Sequence, residues 1–140
     1  MPNTISSVAL IDLPYFRRDG GELVVMETGV IPFSIERVFN VCAEIDAIRG
    51  NHAHRKCIQF LTCVSGGVEV LCDDGTKTST YVLDSPRQGL LVPAGIWARQ
   101  TYKQENTVLT VLCDRGYEEE DYIRDYTEFS AYRKKLSAHV

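Results

Sequence analysis

His52 and His54 stand two residues apart, behind Arg49 and Gly50 and ahead of the apolar run Cys-Ile-Gln-Phe-Leu-Thr-Cys-Val at 57–64. In a strand, residues i and i+2 point to the same face. The spacing therefore predicts two imidazoles projecting into one space. An imidazole titrates near neutral pH, so it can take a proton from carbon or oxygen and return it. Two histidines on a strand also occur as ordinary surface groups or hydrogen-bonded core groups. Here the surroundings favour chemistry: Arg49, His52, His54, Arg55 and Lys56 make a dense polar group. Such a group at the mouth of a barrel is a binding site. The third histidine, His139, is next to the C-terminus, where chains fray.

The spacing resembles the first signature of the cupin superfamily: H-x-H, four residues, an acidic residue, six residues, then Gly. Here the corresponding residues are His52, His54, Gln59 and Gly66. The second signature has Pro-x-Gly, two residues, then His; here Pro93-Ala94-Gly95 is followed by Ala98. Gln59 stands where a carboxylate ligand would be, and Ala98 stands where a third histidine would be. A catalytic divalent ion usually needs three protein ligands. The expectation is a cupin without metal or other cofactor, its histidines free for proton transfer.

The elements that must position these groups read as short strands. They are expected at Glu22–Met26, Glu36–Ala43, His52–Val64, Val68–Cys72, Thr78–Leu83, Gly89–Val92 and Thr107–Cys113. Gly66-Gly67, Asp73-Asp74-Gly75, Ser85-Pro86 and Pro93-Ala94-Gly95 supply the turns between them. Asp74-Gly75 reads as a hairpin tip. Gln59 falls in the same long strand region as the histidines. Many short strands at near-regular spacing suggest an all-β sandwich or closed barrel. The tail differs: Glu118–Tyr126 and Thr127–Leu136 read as helical, with Glu128, Tyr132 and Leu136 on one face. The fold expected is an all-β cupin, or jelly-roll, barrel closed by a short C-terminal helix, one domain over residues 1–140.

Composition limits the function classes. The formal net charge of −4 disfavours nucleic acid, which needs a basic field. A local arginine cluster can still bind a small anion. No apolar stretch is long enough to span a membrane, and the N-terminus lacks the basic and apolar regions of a signal peptide. The five cysteines, Cys42, Cys57, Cys63, Cys72 and Cys113, fit no zinc spacing and read as thiols in a reducing compartment. A cytoplasmic protein is expected.

A narrower likeness runs over nearly the whole chain. It is carried by Ile31-Pro32-Phe33-Ser34-Ile35, Arg49-Gly50-Asn51-His52-Ala53-His54, Cys72-Asp73-Asp74-Gly75, Leu83-Asp84-Ser85-Pro86 and Asp121-Tyr122-Ile123-Arg124-Asp125-Tyr126. In this order the segments resemble the dTDP-4-keto-6-deoxyglucose 3,4-ketoisomerases, of the WxcM-like sugar isomerase group. The resemblance implies a metal-free cupin barrel, a homodimer that exchanges N-terminal strands, and a dTDP-linked 4-keto-6-deoxyhexose as substrate. It implies a 3-keto product, later aminated.

Moving a ketone from C4 to C3 takes a proton from C3 and delivers one to C4 through an enediol. On the resemblance, His54 is the main base and acid, and His52 orients the sugar or relays the oxygen-bound proton. Arg49 stabilises the enediolate or anchors the diphosphate. Arg37 matches the family pattern as a diphosphate ligand or as the partner of an acid. Trp97 offers a face to thymine or the hexose, or walls the core, and Arg99 shares its face. Family members commonly carry a Tyr in the strand corresponding to Arg37–Val41, where this chain has Phe39-Asn40; Asn40 could still hydrogen-bond the sugar. Three other readings remain: a nucleotide-sugar 3,5-epimerase with a His–Asp pair, a metal-dependent small cupin enzyme, and a non-catalytic sugar-binding cupin.

Overall fold

A computed structural model describes residues 1–138, so His139 lies outside the described residues. Two five-stranded antiparallel sheets face one another. The first has the order β1 (Ala9–Asp12), β9 (Gln88–Val92), β6 (Gln59–Ser65), β11 (Thr107–Cys113), β4 (Arg37–Ala43). The second has the order β12 (Tyr122–Ile123), β5 (Ile48–His54), β10 (Trp97–Tyr102), β7 (Val68–Asp73), β8 (Thr78–Leu83). A separate hairpin joins β2 (Tyr15–Arg18) to β3 (Gly21–Val24). The helix α1 (Tyr126–Ala138) closes the described chain. This is the all-β sandwich with a C-terminal helix that the strand spacing and the tail led us to expect.

The alternation of each strand decides what lies inside. Leu61, Cys63, Val70, Cys72, Leu90, Leu109 and Val111 meet between the sheets. Phe60 and Leu112, on the outer face of the first sheet, pack with Leu13 and Ile31. The central strand β6 is thus buried on both faces, and this is why 57–64 reads as a continuous apolar run. Gly89 belongs to the outer layer, where a Cβ would lie 2.0 Å from Phe60 Cζ. Four of the five cysteines are buried and Cys42 is exposed; all are free thiols.

Two expectations are corrected. The region His52–Val64 is not one strand: β5 and β6 belong to opposite sheets, and residues 55–58 turn between them. Their N–H groups bond outside any ladder. Arg55 N donates to Asp121 O, Lys56 N and Cys57 N donate to the Asp121 carboxylate, and Ile58 N donates to Asp114 Oδ1. Glu118–Tyr126 is not a helix but a 3₁₀ turn (Glu119–Asp121) followed by β12, which pairs with Ala53 and His54. In α1 the buried residues are Phe129 and Arg133, while Glu128 is exposed and bonds Arg55. The spacing did find the hairpin at Asp74-Gly75, whose tip ties Asp74 Oδ1 to Thr76 N and Lys77 N.

Candidate active site

β5 brings both histidines to the inner face. Their ring centroids lie 5.0 Å apart at 88°. Just before them, Gly50 and Asn51 have φ of 83° and 57°. At this point the register of β5 on β10 slips: Ala98 faces His52, Arg99 faces Gly50, and Gln100 faces Arg49. One residue is bulged out, which re-aims the strand. Arg49 and His52 are three positions apart, so a regular strand would put them on opposite faces. The bulge returns Arg49 to the histidines' face, where it is solvent-exposed at the rim and its charge acts on the buried Tyr102.

His54 is buried, and its Nδ1 lies 3.0 Å from Asp121 Oδ2. Asp121 also accepts N–H bonds from Lys56 at 2.7 Å and from Cys57 at 3.2 Å. A carboxylate in such a setting only accepts, so Nδ1 donates and Nε2 carries the lone pair. Nε2 is buried with no hydrogen-bond partner among the described residues. Burial lowers the His54 pKa, and Arg37 and Arg124 act the same way, against the opposing pull of Asp121. The imidazole is therefore held neutral, as a base. Burial, with repulsion from His54, also lowers His52, to about 4, although a hydrogen bond to the Gly50 backbone opposes this.

The first sheet supplies the facing wall. Arg37, Cys113 and Gln59 form one row across β4, β11 and β6. Arg37 Nη2 donates to Cys113 Sγ at 3.4 Å and Gln59 Nε2 donates to the same sulfur at 3.5 Å. Burial opposes the Arg37 charge, but bonds to Cys113 and then to Tyr122 outweigh it and raise the pKa. The neighbouring Cys57 thiol, with the donors of Arg37 and Gln59, draws the pKa of the Cys113 thiol down against its burial. Tyr122 pairs with His54 across the strands. Its ring centroid is 4.4 Å from that of His54 and 5.0 Å from that of His52, and Arg124 Cζ sits 4.1 Å from it.

His52, His54, Arg37 and Gln59 line the space between the sheets, with Arg49 exposed at its rim; Gln59 comes from the sheet opposite the histidines. Asn40, Trp97 and Arg99 do not line this space. Asn40 is exposed on the outer face of β4 and accepts a hydrogen bond from Thr110; the inward residue is Phe39. Trp97 lies on the outer face of the second sheet beneath α1, 5.5 Å from Phe129 and 5.3 Å from Tyr126. Arg99 does share its face, but that face is outside and Arg99 is exposed. β10 keeps unbroken register on β7 from Trp97 to Tyr102, so neither side chain turns towards the imidazoles. Asp121, Tyr122 and Cys113 were missed as site residues. Only the likeness of the segment 121–126 drew attention to the first two.

Among the described residues, His54, Cys57 and Asp121 are a set whose donor atoms lie within 4.8 Å of one another, as a metal would need. The Asp121 oxygens are already engaged by three N–H groups. What the arrangement can do by itself is move a proton: a neutral buried base, oriented by a carboxylate and facing a guanidinium that would stabilise a developing oxyanion.

The model of the family described as FdtA: WxcM-like, C-terminal matches residues 6–134. A TDP-4-oxo-6-deoxy-alpha-D-glucose-3,4-oxoisomerase of Aneurinibacillus thermoaerophilus is 39% identical over 119 residues, which is 84% of this chain and 86% of that protein. A sugar 3,4-ketoisomerase of Thermoanaerobacterium thermosaccharolyticum, solved in complex with TDP, superposes with a TM-score of 0.90 at 32% identity, covering 95% of this chain and 98% of the other. A mutant of that enzyme was solved in complex with TDP-4-keto-6-deoxyglucose, with a TM-score of 0.90 at 31% identity over 94% of this chain and 97% of the other.

Proposed function

The chain belongs to the FdtA family (WxcM-like, C-terminal), and from that premise we propose that it catalyses the 3,4-ketoisomerisation of dTDP-4-keto-6-deoxyglucose. It is an isomerase, acting on a TDP-linked sugar. The observation that carries the mechanism is the buried, unpartnered Nε2 of His54, freed as a base by the Nδ1–Asp121 bond.

His54 Nε2 takes the proton from C3. The electron pair of that bond forms the C3–C4 double bond, and negative charge passes to the C4 oxygen. The Arg37 guanidinium stabilises this enediolate, because it is half-buried on the facing sheet and its charge acts on His54. The imidazolium then returns a proton at C4, while the C3 hydroxyl proton passes to the C4 oxygen and the freed O–H electron pair forms the C3 carbonyl. His52, with its pKa near 4, stays neutral and is assigned to orienting the sugar rather than to proton relay. Arg49, at the rim, anchors the diphosphate, where a charge-assisted bond retains most value for an exposed group. Gln59 donates to Cys113 and holds the thiol row beneath Arg37.

A second copy of the chain would cover the apolar surface that this fold leaves open. Phe16 and Leu23 are paired on one face of the β2–β3 hairpin and are each 62% exposed, and Val38 on β4 is 58% exposed. We assign them to a homodimer with exchanged N-terminal strands. Free buried thiols suit the cytoplasm.

The test is an NMR time course with dTDP-4-keto-6-deoxyglucose in deuterated water. The carbonyl shifts from C4 to C3, with solvent deuterium at the new carbinol carbon. His54→Asn abolishes the shift and His52→Asn slows it severely. Deuterium at C5 would instead indicate the 3,5-epimerase, which would also employ a His–Asp pair. Stoichiometric metal in protein prepared without added metal would sink the metal-free mechanism, and an inert purified chain would leave a sugar-binding module.

A further inference from the structure

We propose that Tyr122 is a second acid–base group of this site, carrying the proton that must pass between the two sugar oxygens. This rests on the ketoisomerase reading above. In that reaction one proton moves from C3 to C4 and another leaves the C3 hydroxyl as the C4 oxygen gains one. A single imidazole cannot serve carbon and oxygen at the same moment, and His52 is held neutral by its burial. The strand β4 offers no acid, since Phe39 faces inward and Asn40 faces out.

Tyr122 fills that gap by position. As the cross-strand partner of His54 it stands on the same face of the sheet, and its ring touches both imidazoles. It is half-buried, so it borders the space the sugar must enter. Arg37, on the facing sheet, is near enough for its charge and the Tyr122 hydroxyl to act on one another, and Arg124 Cζ lies 4.1 Å from the ring centroid. Two guanidinium groups thus flank one phenol whose ring lies against both imidazoles.

The steps balance. As His54 Nε2 takes the C3 proton, the Tyr122 O–H donates to the C4 oxygen and the enediol forms. The phenolate, held by Arg37, then takes the proton from the C3 hydroxyl. That O–H electron pair forms the C3 carbonyl. The C3–C4 double-bond pair takes the His54 proton at C4. Both side chains end as they began, and no oxidant or reductant is needed.

The experiment compares wild type and Tyr122→Phe with dTDP-4-keto-6-deoxyglucose in deuterated water. The phenyl ring preserves the stacking on His52 and His54. We expect kcat to fall by about 10²-fold or more, the range of a lost acid–base group, with KM nearly unchanged. His54 still opens the C3–H bond, so deuterium enters C3 of unreacted substrate faster than product forms. A merely structural role would lower exchange and ketone transfer together. An unchanged kcat, or an unchanged ratio of exchange to transfer, overturns the assignment. Should Tyr122→Phe fail to fold, 3-fluorotyrosine at position 122 carries the test: it keeps the ring packing and the hydroxyl but makes the hydroxyl more acidic, so the ratio of exchange to transfer must move, and an unmoved ratio overturns the assignment. If the wild-type chain neither exchanges C3 nor moves the ketone, the ketoisomerase reading itself fails.

Discussion

Replacing Asp121 by Asn removes one acceptor from a carboxylate that takes three N–H donors, at 2.7 Å from Lys56, 3.2 Å from Cys57 and 3.0 Å from His54. An amide has one oxygen and one NH₂. With its oxygen towards His54 and Cys57, the NH₂ meets the Lys56 N–H, donor against donor. With its oxygen towards Lys56, the NH₂ meets the Cys57 N–H and the His54 ring. The ring then accepts at Nδ1, its proton moves to Nε2, and the base is gone. Either arrangement leaves a buried N–H unpaired, at a cost of about 1–3 kcal/mol. Both also remove the negative charge that stabilises the imidazolium formed during the reaction. A positioned base contributes about 10²- to 10⁴-fold in rate, so kcat of Asp121→Asn should fall at least about 10²-fold with little change in KM. Asp121 raises the His54 pKa against burial. Its loss therefore moves the acid limb of kcat/KM to lower pH. The assay is the NMR time course over a pH series, with ¹⁵N shifts of the His54 ring reporting the tautomer. A kcat within about twofold of wild type, at an unshifted acid limb, would refute the dyad.

Two further outcomes follow from packing and titration. Gly89→Ala places a Cβ 2.0 Å from the Phe60 ring, which is fully buried. Overpacking of this kind costs about 1–3 kcal/mol, to be read as a lower urea midpoint; the position is on the outer layer, so kcat should hold. His52 has a folded pKa of about 4 against 6.5 unfolded. A base with a depressed folded pKa contributes full stability above pH 6.5 and loses it as pH falls towards 4. The gap corresponds to about 3 kcal/mol at most. Urea unfolding at pH 7 and 4.5 should show a smaller acid loss in His52→Asn than in wild type, and equal losses would count against a buried neutral His52.

The strand pattern and the paired imidazoles were legible because each depends on local spacing. Alternation at Arg37–Ala43, Val68–Cys72 and Thr107–Cys113 marks which residues face in, and these strands lie where their sequence puts them. The strand Trp97–Tyr102 was harder to read because its inward residues are Ala98, Gln100 and Tyr102, which give little apolar alternation. The faces of Trp97, Arg99 and Asn40 follow from which side of a sheet the sugar occupies, and the sequence does not mark that side. Arg49 is the opposite case. Strict alternation would have turned it outward, and the bulge at Gly50-Asn51 restores it.

The two largest errors in reading the sequence share one cause, and it is the group that the chemistry needs. The apolar run 57–64 extends towards the histidines as if continuous, yet the chain turns at 55–58 because Asp121, more than sixty residues away, captures the N–H groups of Lys56 and Cys57. Glu118–Tyr126 has the composition of a helix, yet it forms a 3₁₀ turn and a short strand, because Tyr122 and Ile123 pair with His54 and Ala53. That pairing sets Asp121 against His54 Nδ1 and Tyr122 against both imidazoles. A site whose carboxylate serves at once as the cap of a turn and the partner of a base conflicts with local propensity at both of its ends. Such conflicts are expected where a fold gives up local consistency for function. The same carboxylate therefore couples folding to tautomer choice: the contacts that end β5 are the contacts that leave His54 Nε2 free to act.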